Sequence, residues 1–171
     1  CQPAVGSADH TVDLLMGSLA IRQAFLEPKV KQIGLGSSWL SANGGCWVLA
    51  LPDFGEWAEV HPVILYPYPD QQGVLTLYAG DAPSHLPADA PTDKPAGQPV
   101  TVRFRWHKPT DMVTGRLTDA AGQEVPTWLS TPQKPLPNQA PFVVCLLPRE
   151  PLRAGETYTA TVAALFDGKP W

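Results

Sequence analysis

The chain carries 20 prolines in 171 residues, more than twice the usual share of about 5%. Each fixes φ and removes a backbone donor, so neither a long helix nor a central strand runs through one easily. A helical bundle is thereby disfavoured, and strands joined by loops are what remains. The 44% apolar content builds a core for one ordinary domain, or for two small ones that share an interface.

Charge narrows the partners. With 12 basic residues against 16 acidic ones the net charge is -4, which repels a phosphate backbone and sets nucleic acid aside. No apolar run reaches the roughly 20 residues of a membrane-spanning helix. A membrane is therefore expected only through a lipid anchor, and Cys1 supplies the candidate: an N-terminal Cys is what processing of a lipoprotein signal peptide exposes. The plain alternative is that Cys1 marks a cut boundary. Lipidation of Cys1 places the protein outside the cytoplasm, in the outer membrane, at the cell surface or in the periplasm; a secreted protein is the other expectation. In such a compartment Cys46 and Cys145, each in an apolar strand-like run, form one disulfide or remain two separate buried thiols. The first alternative closes a loop worth up to roughly 4 to 5 kcal/mol in the chain-entropy model.

Along the chain, Asp9 to Leu26 has helical periodicity, with Leu15, Leu19 and Leu26 on one stripe and Leu14, Ile21 and Phe25 beside it. Pro28 ends the helix. Gln32–Leu40 and Gly45–Leu51 read as a β-hairpin turning at Ser41–Gly45. The stretch from Val60 to Pro69 suits an edge strand or an extended segment better than a central strand. Residues 81–99, with Pro83, Pro87, Pro91, Pro95 and Pro99, read as a semi-extended linker or long surface loop. Beyond it Val100, Val102, Phe104 and Trp106 alternate with Thr101, Arg103, Arg105 and His107, the sign of a half-buried strand. Further short strands follow through Val113–Leu117, Val125–Trp128, Phe142–Leu147 and Tyr158–Phe166, with a turn at Asp119–Gly122.

Leu152–Tyr158 resembles the tyrosine corner of immunoglobulin-like and fibronectin-like domains, with Tyr158 as its hydrogen-bonding residue. After Gly168 such a sandwich turns into its last strand, and here Trp171 follows at once. An unfilled edge is the expectation. Ser18–Pro28 followed by Gln32–Gly36 resembles the second half of bacterial CAP domains, the cysteine-rich secretory and pathogenesis-related superfamily, whose members often carry a following immunoglobulin-like domain. The likeness covers roughly residues 10 to 52. It implies a fold that is mainly β with one N-terminal helix: a half-CAP module over 1–80, a proline-rich linker over 81–99, and an immunoglobulin-like β-sandwich over 100–171. The family's motif His, one of the residues lining its metal-binding cavity, falls on Ile21, which neither ligates a metal nor moves a proton.

Other chemistry finds no foothold. His10, His61, His85 and His107 lack partners at metal-site spacings and read as surface histidines. Gly34–Ser38 lacks the Lys of a phosphate loop and is better explained as a strand of small residues. Asp53, Glu56 and Glu59 flank Trp57 on a loop, where solvated charges are the expected reading. Among Trp39, Trp47, Trp57, Tyr66, Tyr68 and Tyr78, Trp57 is the candidate binding residue. The sequence thus points to a protein without catalytic, cofactor or metal residues that acts through protein partners, as a homo- or hetero-oligomeric subunit of a surface or envelope assembly. A fragment of a CAP-type hydrolase or metal-binding protein and a carbohydrate-binding adhesion module are the alternatives.

Overall fold

The punctuation by proline and glycine resolves into two helices and 12 strands in a computed structural model that describes residues 8–27, 30–39, 46–54, 63–78, 80, 85–91, 94–104, 110–166 and 168–171. Over 30–39 and 46–54 the description is of the backbone. In chain order the elements are α1 (Ala8–Gly17), α2 (Leu19–Phe25), β1 (Val30–Trp39), β2 (Cys46–Phe54), β3 (Val63–Tyr66), β4 (Leu77–Tyr78), β5 (Ala96–Gly97) and β6 (Val100–Phe104). They continue with β7 (Thr110–Thr118), β8 (Glu124–Val125), β9 (Thr127–Ser130), β10 (Val143–Pro148), β11 (Thr159–Phe166) and β12 (Lys169–Pro170). The fold is mainly β.

The single N-terminal helix expected from periodicity is two. Ser18 leaves the helical region with φ -75° and ψ 126°, and its hydroxyl accepts a hydrogen bond from the Ile21 amide at 3.1 Å. That is an N-cap, favoured by a serine that follows a glycine. The break changes which residues face inward. Leu19 is buried as the stripe requires, but Leu14 and Ile21 are 55% and 38% exposed, while Arg22 is 1% exposed.

β1 and β2 form the expected antiparallel hairpin, with Trp39 opposite Cys46 and Gly34 opposite Leu51; its turn lies outside the described residues. The rest of the strands make two four-stranded antiparallel sheets, one ordered β3-β6-β10-β9 and the other β12-β11-β7-β8, with a small β4-β5 ribbon beside them. The segments assigned by sequence to the first module and to the linker therefore contribute strands: β3 pairs with β6 from Val63–Phe104 to Tyr66–Thr101, and β5 lies within 81–99. The ribbon sits tightly. A Cβ on Gly97 would come within 2.6 Å of the Glu150 carbonyl and of Pro148, so only glycine fits there.

Between the two sheets Val102, Phe104, Val144 and Ala164 form a buried core, with Val63, Leu65, Val113, Leu129, Val162 and Phe166 packed around it. On the opposite face of the first sheet Leu19 of α2 packs with Tyr78, Ala96, Leu136, Cys145 and Leu147. β10 is therefore sandwiched between a helix layer and a sheet layer, and every residue from Val143 to Pro148 is buried. Its unbroken apolar run is what a strand covered on both faces requires.

Two local devices shape the second sheet. Between β7 and β8, Asp119 Oδ1 accepts from the amides of Ala121 and Gln123 at 2.9 Å each, and Gly122 takes φ 76°. This turn was legible in the sequence because Asp and Gly supply those two needs. In β7 the register with β11 shifts by one residue between Thr114 and Asp111, where Met112 adopts φ 51°. The extra residue is a β-bulge in β7, which leaves the alternation of β11 unbroken.

Candidate functional site

Chemistry-bearing side chains gather in one place, the layer where α2 lies on the first sheet. Arg22 Nε donates to the Met16 carbonyl at 2.6 Å, and Nη1 donates to the Pro99 carbonyl at 2.7 Å. Gln98, with its amide oxygen turned toward the guanidinium, accepts from Arg22 Nη2 at 2.7 Å and donates to the Leu77 carbonyl at 3.2 Å. The guanidinium carbon stands 4.3 Å from the centre of the Tyr66 ring. Burial raises the Tyr66 pKa, and Arg22 opposes the rise.

A second arginine clamps the other end of the helix. Arg103 Nη1 donates to the Gln23 carbonyl at 2.7 Å, Nη2 pairs with Glu27 Oε2, and the head group lies 4.6 Å from the Phe142 ring centre. Burial lowers the Arg103 pKa, with Glu27 opposing. Gln23 joins the layer to the loop before β10, accepting from the Ala140 amide at 2.7 Å, and its Nε2 lies 3.5 Å from His85 Nε2. Planar donors directed at carbonyls and a carboxylate dock the helix on the sheet.

Most of the sequence-predicted site residues lie beyond what the structure describes. Cys1, Trp57, His61, His107, Glu56 and Glu59 lie outside the described residues, as do the side chains of His10, Cys46 and Asp53. His85, read from sequence as a surface residue, is 1% exposed: the proline-rich segment folds down onto α2 and carries it inside. Tyr68 is the strongly exposed aromatic among the described residues, at 60%. Among the described residues no three His, Cys, Asp or Glu side chains group closely enough to hold a metal, and no helix is long and apolar enough to cross a membrane.

Cys145 carries a free thiol in this structure rather than a bond to Cys46. It points from β10 into the apolar cluster under Leu19, whose other members supply no sulfur partner. Burial pushes this thiol from an ordinary 9.0 up to about 12, with Arg22 pulling the other way. The folded protein keeps this proton between those two values while the unfolded chain releases it. Stability tied to Cys145 is therefore intact below pH 9 and falls as pH rises toward 12, by up to about 1.4 kcal/mol per pH unit. Urea unfolding at pH 8 and pH 10.5 is expected to show a larger alkaline loss for the natural protein than for Cys145→Ala; equal losses would place the thiol in a solvated site.

The second candidate is a strand edge. At Gly168 the chain turns back, and the Ala164 amide and carbonyl exchange hydrogen bonds with those of Trp171 at 3.0 and 2.9 Å. Pro170 falls opposite Leu165, a position where no outward amide is needed. Since Ala164 faces β12, alternation turns the amides and carbonyls of Val162 and Ala160 the same way. No described strand pairs with that side of β11 from Thr159 to Ala163. Thr159, Ala160, Thr161 and Ala163 are exposed. At its start the strand is fixed by a corner in which the Arg153 amide donates to Tyr158 Oη at 2.9 Å. From Tyr158 to Phe166 there is no charge and no proline, the usual protections of an edge. Comparisons with protein-family models, with curated proteins and with solved structures found no family, relative or structure that matches this chain.

Proposed function

We propose that this is a non-catalytic extracytoplasmic protein that works by protein contact as a subunit of an envelope or surface assembly. The observation that carries the reading is the uncharged stretch of β11 from Thr159 to Ala163, whose outer side pairs with no strand among the described residues. A neighbouring chain adds a strand there by β-augmentation, through backbone groups that no described strand uses.

The finer architecture belongs to the same reading. An immunoglobulin-like sandwich is supported by sheet orders that place the first, second, fifth and fourth strands of such a domain in one layer and the remainder in the other. The Tyr158 corner supports it as well. The half-CAP likeness is supported by the order of α2 followed by the β1-β2 hairpin.

Amide exchange tests the contact. In the isolated protein the Ala160 and Val162 amides exchange freely, and in the assembly purified from its native source they are protected by about tenfold or more. Protection of both in a verified monomer would mean the edge is already covered, and would end the proposal.

A further inference from the structure

α2 is held to the first sheet by a different kind of contact from the one that holds the two sheets together. Between the sheets the buried residues are Val102, Phe104, Val144 and Ala164, all apolar. The buried polar residues among those described, Arg22, His85, Gln98, Thr101, Arg103 and Ser130, lie instead in the layer where α2 meets the sheet. Thr101 and Gln98 reach the Arg22 guanidinium, Arg103 and His85 approach Gln23, and Ser130 stands opposite Cys145 on the covered face.

Polar contacts of this kind fix an orientation but add little net stability, because each exchanges a bond to water for a bond to protein. The apolar share of the docking is small. Of the seven residues of α2, Leu19 and Arg22 are buried, while Ala20, Ile21 and Ala24 on the outer side are exposed. A helix this short depends on its contacts to persist. When it leaves the sheet, water satisfies both guanidinium groups, the Pro99 carbonyl and the Thr101 hydroxyl, so separation costs far less than parting an apolar core. The sheets keep their ladders, which run from strand to strand, and the core between them.

We infer that α2 is a cover that opens on its own: it lifts off the β3-β6-β10-β9 sheet while the two sheets stay packed, exposing Thr101, Arg103 and Cys145 on the face beneath it. Cys145 is a built-in reporter of that motion, since its thiol is unbonded and buried in the cluster that Leu19 completes.

The test is alkylation of the full chain by iodoacetamide at pH 8 over a urea series, with Cys145 followed on its own peptide by mass spectrometry so that Cys1 and Cys46 do not contribute. Exchange of the Val144 amide measures unfolding of the sandwich under the same conditions. Cys145 is expected to open to the reagent about tenfold or more as often as Val144 opens to water, and with a shallower urea dependence, because less surface is exposed. Phe104→Leu, which weakens the core between the sheets, is expected to speed Val144 exchange and leave Cys145 alkylation unchanged. Arg22→Lys and the milder Glu27→Gln, which loosen α2 at different points, are expected to speed the alkylation about tenfold and about threefold. Equal opening constants and urea slopes for Cys145 and Val144, or acceleration of both by Phe104→Leu, would make α2 part of one cooperative unit and overturn the inference. Fast alkylation that neither α2 variant changes would put the opening in another segment, which overturns it as well.

Discussion

Replacing Arg22 with Met is expected to lower the unfolding free energy by about 3 kcal/mol or more, a drop in Tm of roughly 6–12 °C for a chain of this size. The methionine occupies much of the space but offers no donor. The carbonyls of Met16 and Pro99 and the side-chain oxygen of Gln98 then lose their partner inside the protein. Each such group costs on the order of 1–3 kcal/mol when left unsatisfied away from water. Arg22→Lys is expected to recover only part of the loss, because a single ammonium cannot span acceptors arranged around a planar fork. Thermal unfolding of the three proteins gives the ranking. A loss under about 1 kcal/mol for Arg22→Met would mean that water reaches these carbonyls and that apolar contacts at Leu19 dock the helix unaided.

Truncating Phe104 to Ala is expected to cost about 3–5 kcal/mol, the range for removing a buried aromatic ring. Phe104 is 1% exposed, and its ring stands 5.1 Å from the rings of both Phe166 and Trp171. The cavity opens beside Trp171, whose ring packs edge-on against Phe104, and β12 itself has two strand residues. Exchange of the Trp171 and Ala164 amides is therefore expected to accelerate beyond what the global loss accounts for. Phe104→Leu retains most of the volume and is expected to cost under half as much. Equal acceleration across all amides in Phe104→Ala would show that β12 is held by its hydrogen bonds rather than by the ring.

How much of this was legible depends on the reach of each signal. The period-two pattern of β6 put Val102 and Phe104 on one face and Thr101 and Arg103 on the other, and that division holds. What it concealed is that the polar face is buried too, because Thr101 and Arg103 meet Arg22, Gln23 and Glu27, which lie 76–80 residues away in the chain. A strand pattern reports which side chains share a face, not what covers it. The helical stripe failed at Ile21 and Arg22 for a related reason. Ser18 restarts the helix, and the arginine is directed inward by carbonyls that no local pattern reveals. Conversely, Asp119–Gly122 and the Tyr158 corner were readable because their hydrogen bonds close within 5 residues.

β10 gives the molecule a particular kind of unity. Most strands in a two-layer protein have one face that can drift without consequence for the rest. This one lends Cys145 and Leu147 to the layer beneath the helices and Val144 to the core between the sheets. The helical segment and the sandwich cannot then age separately: a change tolerated by one must also be acceptable to the other, through the same six residues. If the two parts ever had separate histories, β10 is where those histories became one.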